Sequence, residues 1–273
     1  MTTPNTDKLF TGPIPELYEQ YLVPMIFQPY ADDIAGRVGA RRPARVLEIA
    51  AGTGAVTRAM AKVLPDEAEL VVTDLNAPML ARAEAIGLSG RVAEWRQADA
   101  LQLPFDDGSF DLVVCQFGVM FFPDKARAFA EARRVLQPGG TLLFNVWDRI
   151  EENEFAHAVS RALAECFPDS PPDFMARTPH GYHQRDRIEG DLRAGGFATA
   201  PDFDTVARRS RAESARVPAL GFCQATPMRA ELEARGGDAM QRATDYCEAA
   251  LRSQFGEGPI EGRISAHVVA VTA

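Results

Sequence analysis

Val46-Leu47-Glu48-Ile49-Ala50-Ala51-Gly52-Thr53-Gly54 is the stretch that decides the fold. Val46 to Ala50 reads as a short buried strand and Gly52-Thr53-Gly54 as a turn. Val56, Ala59, Met60, Val63 and Leu64 then mark one face of a helix. A strand that ends in a glycine turn lets a ligand lie against bare backbone, where a Cβ would collide. The helix behind it offers unpaired N–H groups to a carboxylate or phosphate. Many doubly wound folds carry such a turn, so the rest of the chain decides what it serves.

Downstream the alternation continues. Glu69 to Thr73 is a second strand ending at Asp74. Asn76 caps the next helix, Pro78 suits its first turn, Met79, Ala83 and Ile86 face inward, and Gly87 ends it. Val92 to Gln97 is a third strand, followed by Asp99; Asp106-Asp107-Gly108 turns the chain into a fourth, Phe110 to Phe117. Phe129, Ala132, Val135 and Leu136 line a helix that Pro138-Gly139-Gly140 stops, and Thr141 to Val146 is a fifth strand. Apolar strands separated by amphipathic helices predict a mostly parallel, doubly wound α/β sheet covered on both faces.

Upstream, Leu17, Tyr18, Tyr21, Leu22 and Met25 recur at helical spacing, with Pro24 and Pro29 interrupting before a second helix through Ile34 and Val38. Beyond Trp147 the pattern predicts a helix over Asn153 to Cys166, a Pro-rich loop over Pro168 to Pro179 and a helix ending at Gly195-Gly196. A strand over Phe197 to Arg208, inserted helices over Glu213 to Phe255 and a seventh strand over Ile264 to Thr272 complete the chain; Met240, Ala243, Cys247, Ala250 and Leu251 share a face of the insertion. The expected organisation is an N-terminal helical lid over 1–42 and a ligand-binding core over 43–150. Residues 151–273 complete the sheet and carry a helical, pocket-forming insertion at about 213–255.

The 273 residues, 46% hydrophobic and 25% charged, suit a soluble globular chain. With 29 basic against 38 acidic residues the net charge is −9, which argues against non-specific binding to nucleic acid or anionic membrane. The longest apolar run, Leu112 to Phe122, is too short to span a bilayer and carries Gln116 and Gly118. MTTPNTDKLF has no apolar segment of the kind a secretory leader needs. Cys115, Cys166, Cys223 and Cys247 are scattered, as free thiols of a cytoplasmic protein are.

Two acids sharpen the glycine turn. Asp74 falls at the end of the second strand, where a carboxylate accepts from both ribose hydroxyls, and Asp99 follows the third, where it could accept from an adenine amino group. A dinucleotide site prefers a third glycine where this chain has Thr57, which counts against a nicotinamide-dependent oxidoreductase. The combined motifs resemble the class I S-adenosylmethionine-dependent methyltransferases, and among them the ubiquinone/menaquinone C-methyltransferase type. The likeness is carried by Leu47 to Gly54, Val71-Val72-Thr73-Asp74-Leu75-Asn76, Ala98 to Phe105, Phe110-Asp111-Leu112-Val113 and Arg133 to Gly140.

That resemblance implies a Rossmann-like fold, S-adenosyl-L-methionine as cofactor and S-adenosyl-L-homocysteine as its product. It implies that Glu48, Ala50, Gly52, Thr53 and Gly54 surround the methionine part of the cofactor and that Asp74 holds the ribose. Leu75 and Met79 would flank the adenine, Asp99 and Ala100 would meet its edge, and Gln116 and Phe117 would border the methyl group and the acceptor. Ala50 departs from the glycine common at its position. The implied reaction moves a methyl group to an O, N or C nucleophile of a small molecule, with a non-catalytic cofactor-binding or scaffolding protein as the other alternative.

Outside these motifs, Tyr18 and Tyr21 belong either to a lid over the cofactor or to ordinary helix packing; they and His157, a candidate base, are the candidate catalytic residues. His180 and His183 are three apart, but nothing nominates a third metal ligand, so a surface role is expected. Phe121-Phe122 is core or a wall of an apolar pocket, and Arg208, Arg209 and Arg211 read as a solvated face, with an anion site as the alternative.

Overall fold

A computed structural model describes residues 5–273; the first four residues of the opening segment and of the expected lid lie outside the described residues. Seven strands form one sheet: β1 (Arg45–Glu48), β2 (Glu69–Asp74), β3 (Glu94–Gln97), β4 (Phe110–Gln116), β5 (Leu136–Trp147), β6 (Asp202–Ala212) and β7 (Ile260–Thr272). Their order is β3-β2-β1-β4-β5-β7-β6. The first five run parallel, and β7 is antiparallel to both β5 and β6. This is the mostly parallel, seven-stranded α/β sheet that the alternation predicts.

Helix α1 (Ile14–Leu17), a π-helical segment (Tyr18–Phe27) and α2 (Gln28–Arg41) precede the sheet. Helices α3 (Ala55–Ala61), α4 (Ala77–Ile86) and α5 (Lys125–Val135) link the parallel strands. Then α6 (Glu154–Cys166), α7 (Phe174–Arg177) and α8 (Arg185–Ala194) lead into β6, and α9 (Arg216–Gln224), α10 (Met228–Glu233) and α11 (Ala239–Phe255) stand between β6 and β7. From β1 the chain steps outward through β2 to β3, whereas β4 to β5 steps the other way. Right-handed crossovers therefore place α3 and α4 on one face and α5 on the other. α2 packs on α3, and α8 packs on α5. The reversal of direction between β1 and β4 opens a crevice at their carboxyl ends.

Charged side chains that reach from β4 and α5 into the strand-joining loops fix the frame. The Asp111 carboxylate accepts from the N–H groups of Ala44 (2.6 Å) and Arg45 (3.0 Å), pinning the start of β1 to β4. Arg134 donates to the carbonyls of Leu103 (2.9 Å) and Phe105 (2.7 Å), and Glu131 accepts from the Leu103 N–H (2.9 Å). The Arg134 guanidinium holds the Glu131 carboxyl below the usual carboxylate range. One helix thus secures the loop that carries Asp99 across the strand ends.

Several local expectations are corrected. Pro24 does not interrupt the N-terminal helical run: the backbone widens to π winding, the Gln28 N–H bonding back to the Val23 carbonyl, and Pro29 starts α2. The wider turn accommodates a residue with no N–H to donate. Pro138-Gly139-Gly140 lies inside β5, which begins at Leu136, because α5 already stops at Val135. β3 is shorter than expected and Val92 is exposed, as are Val63, beyond the end of α3, and Ile86, at the last turn of α4. β6 starts at Asp202, five residues later than predicted, and β7 starts at Ile260.

The end of α8 rests directly on α5: a Cβ on Gly195 would lie 2.6 Å from Phe129 Cβ and 3.0 Å from the Ala126 carbonyl oxygen. Gly195→Ala should therefore destabilise the protein by about 1–3 kcal/mol through forced displacement of the two helices. A lowered urea midpoint with an unchanged slope is the expected readout.

Candidate active site

The glycine turn forms the floor of the site. The Ile49 N–H bonds to the Val114 carbonyl (2.9 Å) and the Ala51 N–H to the Thr73 carbonyl (3.0 Å), so the sheet ladder carries the chain past the end of β1. It then turns through left-handed conformations at Ala50 (φ 55°), Gly52 (φ 59°) and Gly54 (φ 85°). A methyl group is held in that conformation at Ala50 because Gly118 leaves it room: a Cβ on Gly118 would lie 2.5 Å from Ala50 Cβ.

Two buried carboxylates stand over this floor. Asp74 Oδ2 accepts from the Gly52 N–H (2.8 Å) and Oδ1 from the Asn76 N–H (2.7 Å), leaving acceptor capacity on both oxygens. Burial raises its pKa, and the two N–H bonds oppose the rise. Glu48 Oε2 accepts from the Thr57 hydroxyl (2.6 Å). Burial pushes the Glu48 carboxyl up to about 8 against that hydrogen bond, and the charge of Asp74 adds to the rise. Thr57, fully buried, thus places a hydroxyl where a dinucleotide turn leaves bare glycine, and this removes support from the oxidoreductase alternative.

The strand ends open into a cavity of about 1390 Å³, counting its mouth. Its far end is aromatic. Phe117 and Trp147 stack with centroids 3.8 Å apart and planes 9° from parallel, and Tyr30 meets both edge-on. The Tyr30 hydroxyl donates to the Val206 carbonyl (3.0 Å), tying the stack to β6. Phe117 is held left-handed (φ 51°), its N–H donating to Asn145 Oδ1 at 2.9 Å. Beside it, Gln116 Nε2 donates to the Phe27 carbonyl (3.4 Å), while Gln116 Oε1 is buried with no partner among the described residues.

The roof comes from distant segments. Tyr18 stacks on Phe27 (4.8 Å), and Phe10 meets Tyr18 and Phe121 edge-on. Burial, with the charges of Asp74 and Glu19, raises the Tyr18 hydroxyl well above its ordinary pKa, so it stays protonated. The Phe10 N–H donates to Asn76 Oδ1 (3.2 Å). Asp7 accepts from Arg177 Nη2 (2.9 Å) and the Thr178 hydroxyl (2.5 Å), and Arg177 also reaches Glu231 (2.7 Å). One guanidinium thereby joins the N-terminal strap, α7 and α10.

Of the residues expected at the site, Glu48, Ala50, Gly52, Thr53, Asp74 and Leu75 line the cavity. So do Met79, Asp99, Ala100, Gln116, Phe117 and Tyr18. Gly54 does not: its missing Cβ would face Ala83 Cβ at 3.0 Å, so it serves the packing of the turn on α4. Tyr21 and His157 do not line it either. Tyr21 is half-buried beside it, and His157 is half-buried on α6, which packs against α11 and β7. Phe121 and Phe122 both form cavity wall. His180 is not a surface residue. It is buried, its Nδ1 lies 2.8 Å from the Asp148 carbonyl oxygen, and burial lowers its pKa to about 4. Sequence reasoning missed Phe10, Phe27, Phe174 and Phe222, which no strand-end pattern marks. It also missed Trp147, which the rule that found Asp74 would have reached, since it closes β5.

The Glu48 shift has a sign that experiment can check. A carboxyl raised from 4.5 to about 8 makes the native state bind more protons than the unfolded state between those values. Stability of the protein without added ligand should therefore fall as pH rises from about 5 to about 8. Glu48→Gln should flatten that fall in melting temperatures measured across the range.

The comparisons with known proteins agree with this geometry. Residues 47–144 match the family model described as a methyltransferase domain. The ubiquinone/menaquinone biosynthesis C-methyltransferase UbiE of Stutzerimonas stutzeri (strain A1501) is 33% identical over 172 residues, 58% of this chain and 67% of that protein. The demethylmenaquinone methyltransferase of Lactiplantibacillus plantarum (strain ATCC BAA-793 / NCIMB 8826 / WCFS1) is 44% identical over 103 residues, and this chain spans only 44% of its length. Among solved structures, the Haemonchus contortus phosphoethanolamine N-methyltransferase 2, in complex with phosphomonomethylethanolamine and S-adenosylhomocysteine, shares the fold. Its TM-score is 0.56 at 18% identity, covering 94% of this chain and 56% of that one. With its strand order, its glycine turn and these relatives, the chain belongs to the class I S-adenosylmethionine-dependent methyltransferases.

Proposed function

We propose that the chain transfers the methyl group of S-adenosylmethionine to an O, N or C nucleophile of a compact, largely apolar small molecule with a flat unsaturated part. The observation that carries this reading is the meeting, in one cavity, of two buried carboxylates on a glycine turn with a wall of stacked aromatic rings.

The residues fit the cofactor. Asp74 keeps acceptor capacity for the two ribose hydroxyls while its N–H partners hold it in place. Leu75 and Met79 offer apolar surface for the adenine. Asp99 accepts from the Leu101 N–H (2.9 Å) through one oxygen, which leaves the other for the adenine amino group beside Ala100. Ala50, Gly52 and Thr53 line the place for the amino-acid arm, and the negative charge of Asp74 favours a cation nearby. When bound, the cofactor supplies a methyl group already activated on a sulfonium sulfur.

The chain's own contribution is alignment and exclusion of water, which can supply on the order of 7–11 kcal/mol. Gln116, the last residue of β4, and Phe117 just beyond it stand at the junction of the two compartments, where the acceptor would meet the methyl group. The Phe117–Trp147 stack, buttressed by Tyr30, gives a flat acceptor a rigid surface. The N-terminal segment acts as the lid through Phe10 and the π-helical Tyr18, and the 213–255 insertion closes the acceptor end through Phe222 and Thr226. The four thiols are free, and three of them are buried, which suits a cytoplasmic setting. No helix among the described residues is long and apolar enough to cross a membrane.

Calorimetric titration with S-adenosylhomocysteine should give saturable one-site binding. Asp74→Asn should weaken it about 10- to 100-fold, as expected when hydrogen bonds to a charged acceptor are lost. NADH should give no saturable heat. Transfer of labelled methyl from S-adenosylmethionine should then be found within a panel of flat hydroxyl and amino compounds. A folded protein that binds NADH instead would reverse the assignment.

A further inference from the structure

A second carboxylate interaction lies on the N-terminal side of the glycine turn. Arg58 Nη1 donates to the Thr53 carbonyl (2.6 Å), which curls the guanidinium back beneath the turn. Its Nη2 donates to Glu19 Oε1 (2.6 Å), and the Thr53 hydroxyl donates to Glu19 Oε2 (2.5 Å). One carboxylate, brought in by the π-helical segment, therefore spans a guanidinium and a hydroxyl held in fixed relation by α3. The ion pair is mostly buried, with 21% of the Arg58 side chain and 19% of the Glu19 side chain exposed. Thr53 itself is buried and lines the cavity, next to the place the amino-acid arm would take.

We propose that Thr53 and Arg58 form the seat for the carboxylate of the cofactor's amino-acid arm, and that Glu19 occupies this seat as an internal stand-in that the cofactor displaces. The proposal rests on the methyltransferase reading. Its chemistry is that of carboxylate recognition, in which a guanidinium and a hydroxyl each donate to one oxygen. On the cavity side the Asp74 charge favours a cation and repels a carboxylate, while Arg58, fixed against the Thr53 carbonyl, offers a guanidinium to the anionic end. The Thr53 hydroxyl has a single proton and can donate to one carboxylate at a time, which makes Glu19 and the ligand competitors. Displacement frees the Tyr18–Phe27 segment from the turn while the Asp7–Arg177 and Phe10–Asn76 contacts still hold the roof. Arrival of the cofactor thereby loosens the side of the cover that carries Tyr18, and by reciprocity a loosened cover binds the cofactor more tightly.

The sign of one mutational effect decides the matter. Wild type, Glu19→Gln, Glu19→Ala and Glu16→Gln are titrated by calorimetry with S-adenosylhomocysteine and with 5′-methylthioadenosine, which lacks the carboxylate-bearing arm. Glu16 is exposed three residues away and controls for a simple change of charge. Thermal melts confirm that each variant is folded. Both Glu19 variants should bind S-adenosylhomocysteine about tenfold more tightly, with 5′-methylthioadenosine unchanged, and Glu16→Gln should alter neither. Weakened or unchanged S-adenosylhomocysteine binding in both Glu19 variants would mean that Glu19 only braces the cover, and would overturn the proposal. Equal tightening of both nucleosides would overturn it too, since the seat would then not read the carboxylate. A wild type that binds neither nucleoside would remove the methyltransferase reading along with it.

Discussion

The carboxylate of Asp74 holds the cofactor half of the site in one arrangement. It closes β2, receives the Gly52 N–H from the turn after β1 and receives the Asn76 N–H from the start of α4. Three elements that diverge from adjacent strands are thus joined at one buried charge. Such a charge is tolerable only because polar hydrogens surround it. The register of β1 on β2, with Glu48 opposite Val72, sets Asp74 within reach of the turn. The left-handed backbone at Ala50 and Gly52 then aims N–H groups at it. Shift that register by one residue and the acid would face away from the crevice.

What could be read from residues alone follows from this. Strand periodicity locates strand ends, and the carboxyl ends of a parallel sheet locate a ligand, so Glu48, Asp74, Asp99 and Gln116 are legible as a set. The boundaries that went astray have tertiary causes. Pro24 reads as a helix stop, yet Gly221 of α9 lies so close to Leu22 (2.9 Å for a Cβ) that packing carries the helical run through it. Pro138-Gly139-Gly140 reads as a turn, yet β5 starts before it and extends along β7. Val92 and Ile86 fit an apolar period but fall where the sheet edge meets solvent. His180 shows no periodic signal at all, and its burial depends on the Asp148 carbonyl at the end of β5.

The match to the family ends at residue 144; Phe117, Phe121 and Phe122 of the aromatic wall fall inside it, whereas the roof and the rest of that wall come from Asp7 to Tyr30 and from Trp147 to Pro227. The family match therefore covers the cofactor floor and the Phe117 side of the acceptor wall, while the roof is built from segments outside it. Arg177 illustrates the difference. It joins three segments that lie up to 224 residues apart in sequence, Asp7 to Glu231, and no short motif announces it. Arg134, by contrast, serves a loop within its own motif region.

The Phe117–Trp147–Tyr30 stack has a consequence for the order in which the molecule assembles. The cofactor floor is built from Val46 to Gln116, and its β1–β4 pairing, Val46 with Leu112, closes over 66 residues. The stack is complete only when the Tyr30 hydroxyl finds the Val206 carbonyl, 176 residues along the chain. Loop closure of that length is slow and comes after local structure has formed. A newly made chain should thus acquire its nucleotide-shaped floor first and its acceptor wall last, after β6 and β7 have joined the sheet. Cofactor present in the cell can bind that early floor and bias folding toward it.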